Sequence, residues 1–220
     1  SSLPKNNINK KAPALHQETL RKLARIRKKV SNIRGTASLA RLNNSPEARV
    51  FSGLPNVKKI STRGPITSDH LIRTKPAPMY LNQKNVEKSI EDFASKYEAY
   101  FDRHTDGKQI RLDSAPRWGV WPEQGIVSFG GNPDETEIIS DIAMHTAKAI
   151  QQAENMNSLN CRGWKPISED HLFEAEYWEL QQAKIKKESL PPEFEGKIAV
   201  VTGAASGIGL ACAEHFNQQG

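Results

Sequence analysis

The stretch that most constrains the fold lies near the end of the chain. Gly196-Lys197-Ile198-Ala199-Val200-Val201-Thr202 is a continuous, largely β-branched run of the kind a parallel strand buried on both faces requires. It feeds straight into Thr202-Gly203-Ala204-Ala205-Ser206-Gly207-Ile208-Gly209, after which Leu210, Ala211, Ala213 and Phe216 read as a helix with small residues near its start. In such an arrangement Gly203 lets the chain turn sharply and Gly207 lets backbone approach a pyrophosphate. Gly209 permits close packing of helix on sheet, while unpaired N–H groups at the helix start attract phosphate. No lysine sits where a P-loop needs one.

Pro191-Pro192 sets this unit off from what precedes it, and the preceding residues alternate helices with short extended runs. Residues 1–14 are Lys, Asn and Pro without periodicity and read as a disordered lead-in. Leu20, Leu23, Ile26 and Val30 recur at three or four, opposite Arg21, Lys22, Arg25, Lys28 and Lys29, which predicts an amphipathic basic helix over 15–30. Ser45 is placed to cap a short helix with Pro46 at its first position, and Arg63 to Lys75 reads as a loop around one helical turn. Asn85 caps a helix carrying Val86, Ile90, Phe93, Tyr97 and Tyr100. Ile110–Leu112, Trp118–Trp121 and Ile126–Phe129 are extended runs that suggest a small antiparallel sheet. Asn132 then caps a long helix with Ile138, Ile139, Ile142, Thr146, Ala149, Ile150 and Ala153 on its buried face. Ser168 caps a last helix with Leu172, Phe173, Tyr177, Trp178 and Leu180, running into Lys184–Lys187.

Charge is unevenly distributed. Residues 1–75 hold 17 Lys and Arg against 3 acids, and the remainder 14 against 22. A basic front suits nucleic acid, a phosphorylated substrate, or a face that meets an acidic neighbour. No zinc finger or aromatic-interleaved sheet accompanies Arg21–Arg34, so the nucleic-acid alternative is the weakest. No apolar run approaches the roughly 18 residues of a membrane span and no signal-peptide core is present, so a cytoplasmic protein without a membrane partner is expected. Cys161 and Cys212 are too few and too far apart for a disulfide framework or a metal cluster, and read as small buried or half-buried side chains.

Ile198 to Gly209 resembles the first strand and turn of the short-chain dehydrogenase/reductase family. That resemblance implies that Gly203, Ser206, Gly207, Ile208 and Gly209 would line the phosphates and ribose of NAD or NADP. It also implies that the family's catalytic serine, tyrosine and lysine lie beyond Gly220. Arg63–Lys75, Leu112-Asp-Ser-Ala-Pro-Arg117 and Leu172–Leu180 resemble the middle of bifunctional proteins that join a class II aldolase to such a dehydrogenase. Members cleave rhamnulose 1-phosphate, in rhamnose catabolism, to dihydroxyacetone phosphate and lactaldehyde, and oxidise the aldehyde with NAD.

The resemblance implies an α/β fold, in which a mixed α+β aldolase-like part at 15–188 and a linker at 189–195 precede the first β-α unit of a Rossmann domain at 196–220. The chain would then be an interior piece of a longer, homo-oligomeric enzyme acting on a sugar phosphate and an aldehyde, itself without catalytic activity. Class II aldolases hold a divalent metal, usually zinc, with three histidines. No His-x-His pair occurs here, so that site is expected upstream of Ser1 and no metal within the chain. Gln124 precedes Gly125 where the aldolase unit would carry its third zinc histidine, and an amide is a poor zinc ligand, so the unit reads as a degenerate structural copy. Within the chain the candidate site is Asp69, His70, Arg73 and Lys75: a histidine beside a carboxylate can shuttle protons, and Arg with Lys can hold a sugar phosphate. The alternative makes the folded middle a spacer that positions two active sites.

Overall fold

The computed structural model describes residues 14–157, 165–179 and 192–220. Among them are eight helices and four strands: α1 (Gln17–Arg34), β1 (Leu39–Asn43), α2 (Pro46–Ser52), α3 (Val57–Ile60), α4 (Ser68–Thr74), β2 (Met79–Tyr80), α5 (Val86–His104), β3 (Trp118–Trp121), β4 (Gly125–Gly130), α6 (Pro133–Asn157), α7 (Glu169–Glu176) and α8 (Gly207–Gln218). Residues 1–13 of the lead-in, Cys161, Leu180, Lys184–Lys187 and Pro191 lie outside the described residues.

Local signals set the helix starts. Ser45, Asn85 and Ser168 accept from the backbone N–H three residues on, at Ala48, Lys88 and His171. Asn132 does the same for α6 through Glu135 N–H at 2.8 Å. Each bond satisfies one of the donors that a helix start leaves without an intrahelical partner. Gly35, at φ 79, ends α1.

The strands form one mixed sheet in the order β1-β4-β3-β2, with β4 antiparallel to both β1 and β3, and β2 parallel to β3. A parallel pair needs a crossover, and α5 supplies it. Helices cover both faces. Trp118, Val120 and Ile126 pack with α2, α3 and α6 on one side. Trp121, Val127 and Phe129 pack with Ile26 and Val30 of α1 and Ile90 of α5 on the other. Successive residues of β4 therefore feed opposite cores, and the whole strand is buried.

The basic first third meets the acidic remainder of the chain. Arg25 and Lys29 of α1 pair with Glu87 and Glu91 of α5, Arg34 with Glu135, Arg41 with Glu137, and Arg63 with Glu154. The exposed ones, such as Arg25–Glu87 and Arg41–Glu137, contribute about 0.2–1 kcal/mol each. They orient packed elements more than they stabilise them.

Several expectations are corrected. The run at 197–201 is not a strand: Ile198 is 66% and Val200 90% exposed. Its sequence suits burial on both faces, but none of the four described strands pairs with it, and strand propensity alone does not build a ladder. Ile110–Leu112 is likewise not a strand, and Ile110 points to solvent. The buried face of α6 runs through Thr136, Ile139, Ser140, Ala143, Thr146, Ala147 and Ile150, and leaves Ile138 exposed. Trp178 and Cys212 are exposed rather than packed inside. Strands β1 and β2 were not legible as strands. No described helix is long and apolar enough to cross a membrane.

If β4 is the shared wall of both cores, Phe129→Ala should cost about 3–5 kcal/mol of unfolding free energy. Ile138→Ala should change it by less than about 0.5 kcal/mol. Urea unfolding of the two variants measures both, and equal losses would contradict this placement.

Candidate functional site

The segment Arg63–Lys75 folds around α4, whose cap Thr67 accepts from His70 N–H at 3.3 Å. One turn of helix then separates its chemistry-bearing side chains. Asp69 and Arg73 are exposed and His70 is half-buried. Lys75 follows the helix with φ 63 and turns inward to 3% exposure. Asp69, His70, Arg73 and Lys75 thus do not converge on one point. Arg73 faces a recess of about 990 Å³ lined also by Arg34, Asn132, Glu135 and Glu195, which Lys75 does not reach.

Lys75 instead enters a buried polar network that links α4, α5, α7 and the loop at 112–117. Its ammonium donates to the carbonyl oxygen of Asp113 and stands 3.4 Å above the centre of the Tyr97 ring. The Tyr97 hydroxyl donates to Glu176 Oε1 at 2.8 Å and lies 2.8 Å from the Tyr177 hydroxyl, which accepts from Leu112 N–H. Asp113 takes both terminal nitrogens of Arg117, at 2.9 and 2.5 Å, and Ser114 donates to Glu98 at 2.7 Å. Around this network Tyr100, Phe101, Phe173 and Tyr177 stack and cross at 4.6–5.8 Å.

Burial controls the charges here. It lowers the Lys75 ammonium to about 7, assisted by the nearby Arg117 charge and opposed by Asp113 and Glu176. Burial also raises Glu176 to about 7, against the pull of Lys75 and the hydrogen bond from Tyr97. Tyr97 and Tyr100 are pushed far upward by burial and by the Glu176 charge, so both remain neutral phenols. Burial would raise Asp113 too, but the Arg117 hydrogen bonds and charge outweigh it and hold the carboxyl at about 2. Such a set can pass a proton between Lys75 and Glu176. With Lys75 3% and Glu176 0% exposed among the described residues, its evident work is to lock three helices to one loop.

Sequence reasoning missed Glu176, Tyr97, Tyr177, Asp113 and Arg117 as members of one cluster. Asp113 and Arg117 carry the only local signal, opposite charges four residues apart around Ala115-Pro116. The rest comes together only through tertiary packing.

The glycine segment forms a tight turn over Thr202–Ala205 followed by α8, with Ser206 extended at the cap position and making no side-chain cap bond. Gly203 and Gly207 have φ 68 and 59, with open space where side chains would stand. Gly209 is pressed against the turn: a Cβ there would lie 2.4 Å from the Gly203 oxygen. Ile208 is exposed. The start of α8 is exposed, and like any helix start it leaves backbone N–H groups without an intrahelical partner.

Among the described residues no three His, Cys, Asp or Glu side chains are grouped to hold a metal ion such as zinc. Gln124 lies instead beside a recess of about 240 Å³ with His16, Asn44 and Arg49, where a cation from Arg49 opposes a metal.

Residues 17–185 match the family described as "Aldolase class II, second domain". Over 173 residues the chain is 28% identical to a protein of Bacillus subtilis (strain 168) named "Uncharacterized oxidoreductase YuxG", covering 73% of this chain and 24% of that protein. The chain therefore spans about a quarter of that relative's length. No solved structure matches it.

The buried network gives stability a definite pH dependence. Glu176 is raised from 4.5 to about 7, so the folded chain keeps a proton that the unfolded chain releases. That contribution is complete below pH 4.5 and is lost as pH rises through 7. Urea midpoints between pH 4.5 and 7 should fall in the native chain and fall less in Glu176→Gln. Parallel curves would show that Glu176 is not held protonated.

Proposed function

Residues 17–185 make this chain a member of the aldolase class II second-domain family, and from that membership we propose that it serves an enzyme coupling aldol cleavage to aldehyde oxidation. The substrate is a ketose 1-phosphate of the rhamnulose 1-phosphate type, and NAD or NADP oxidises the aldehyde product. The observation that carries the oxidative half is the glycine turn, open at Gly203 and Gly207 and closed at Gly209, at the head of a twelve-residue helix. The oxidoreductase name of the Bacillus relative supports the same reading.

In that role Gly203 reverses the chain and Gly207 brings backbone close to the pyrophosphate. The α8 dipole and its free N–H groups hold the negative charge, with the Ser206 hydroxyl beside them and Ile208 against the ribose. When bound, the dinucleotide supplies hydride acceptance; this chain contributes binding and orientation. A divalent metal for aldol cleavage would be held by residues other than these, in keeping with the absence of a His-x-His pair from the sequence. The longer enzyme acts in the cytoplasm as a homo-oligomer.

Within residues 15–188 the buried state of Lys75 and Glu176 favours a scaffold over a second active site. A degenerate aldolase-like copy that positions two active sites accounts for so buried a network, and it needs neither His70 nor Arg73.

Two measurements on the full-length protein test these readings. Gly207→Val should abolish reduction of NAD or NADP while aldol cleavage, followed by release of dihydroxyacetone phosphate, stays within about twofold of native. Loss of both activities together would contradict the assignment of the turn. His70→Ala and Arg73→Ala should leave aldol cleavage intact; a fall of more than about 100-fold in either would restore α4 as an active-site segment.

A further inference from the structure

Between the aldolase-like body and the glycine turn lie three residues with an unusual density of specific contacts. Gly196 is buried, with φ 71, and a Cβ at this position would stand 2.6 Å from the Ala37 oxygen and 2.9 Å from the Gly131 oxygen. Those walls are backbone from two separate loops of the body, so they cannot yield as a side chain would. The Gly196 carbonyl accepts from Arg27 Nη2 at 3.1 Å, while Arg27 Nε donates to the Ser38 carbonyl at 2.7 Å. One guanidinium thus bridges body and connecting segment.

Asn132 performs a second double duty. Its Oδ1 caps α6 by accepting from Glu135 N–H at 2.8 Å, and its Nδ2 donates to Glu195 Oε1 at 2.7 Å. The Glu195 carboxylate is therefore drawn to the start of a 25-residue helix, where the dipole favours negative charge. On the other side the Phe194 ring meets Phe216 of α8 edge-on at 5.1 Å, and Phe194 N–H donates to the Gln219 oxygen at 3.0 Å. The segment is held from both directions at once.

We propose that residues 194–196 form an intramolecular clip that holds α8 and its glycine turn in one orientation on the aldolase-like body, with Arg27 and Asn132 as the receiving groups. A flexible join would leave the two parts free to reorient, the ordinary expectation for parts joined by a short connection. Here a left-handed glycine seated between two backbone walls, a bridging guanidinium and a two-sided asparagine fix the angle. The proposal stands whether or not the turn holds a dinucleotide, so its failure and failure of the oxidative reading are distinguishable.

The test measures orientation directly. Spin labels are placed on Cys212 of α8 and on Lys148→Cys of α6, both exposed, in a Cys161→Ser background, and their distance distribution is recorded by pulsed electron paramagnetic resonance. A single narrow distribution is expected. Asn132→Asp retains the α6 cap but removes the donor and opposes Glu195, and should broaden the distribution about twofold or more. Adding Glu195→Gln restores a donor and should narrow it again. Gly196→Ala, which leaves Asn132 untouched, should broaden it to a similar extent. A distribution already broad in the parent, or one left narrow by both single changes, overturns the clip. Failure of Glu195→Gln to restore order overturns the Asn132–Glu195 contact as its basis.

Discussion

The fold depends on β4 being buried on both of its faces. A six-residue strand at the centre of a four-stranded sheet can serve two cores only if alternate side chains are apolar, or small, in both directions, and Gly-Ile-Val-Ser-Phe-Gly meets that condition. Ile126 faces the α2, α3 and α6 side; Val127 and Phe129 face α1 and α5. From this wall the remaining placement follows. The helix after β4 lies across the sheet, α5 crosses over to pair β2 with β3, and the far end of α5 carries Tyr97 and Tyr100 past the sheet to meet α7.

Where α5, α7 and the end of α4 meet, apolar packing gives way to buried charge. Lys75 and Glu176 are withdrawn from water and Asp113 and Arg117 are half-buried, and each finds a partner within the cluster. The Asp113–Arg117 ion pair adds little net stability, because desolvation offsets much of the attraction, but removing one partner is costly. The effect of such contacts is to fix which surfaces meet. The cluster reads as a register device within the aldolase class II second-domain family's part of the chain, while the glycine turn sits at the far end.

Much of this was legible in the sequence wherever the cause is local. Ser45, Asn85, Asn132 and Ser168 cap helices because a side-chain oxygen three residues before a backbone N–H needs no distant partner. Strand β1, Leu-Ala-Arg-Leu-Asn, carries no clear alternation; it exists because β4 offers it a ladder. The reverse holds at Ile198–Val201, where strong strand propensity goes unused for want of a described strand beside it. Lys75 looked like a ligand for phosphate beside Arg73, but its left-handed backbone sends the two side chains apart. Glu176 was hidden among the other acids of α7, since its burial is created by residues roughly eighty and a hundred positions earlier. The glycine turn was readable because a tight turn with close helix packing leaves the choice of residue almost no freedom.

The central claim is that the ligand-bearing part of this chain is the glycine turn and that the buried cluster is architecture. Amide hydrogen exchange of the full-length protein, followed by mass spectrometry with NAD and with a ketose 1-phosphate added in turn, tests it most directly. NAD should slow exchange at residues 203–209, and the sugar phosphate should leave residues 69–75 unchanged. Protection of 69–75 by the sugar phosphate, with 203–209 indifferent to NAD, would contradict it.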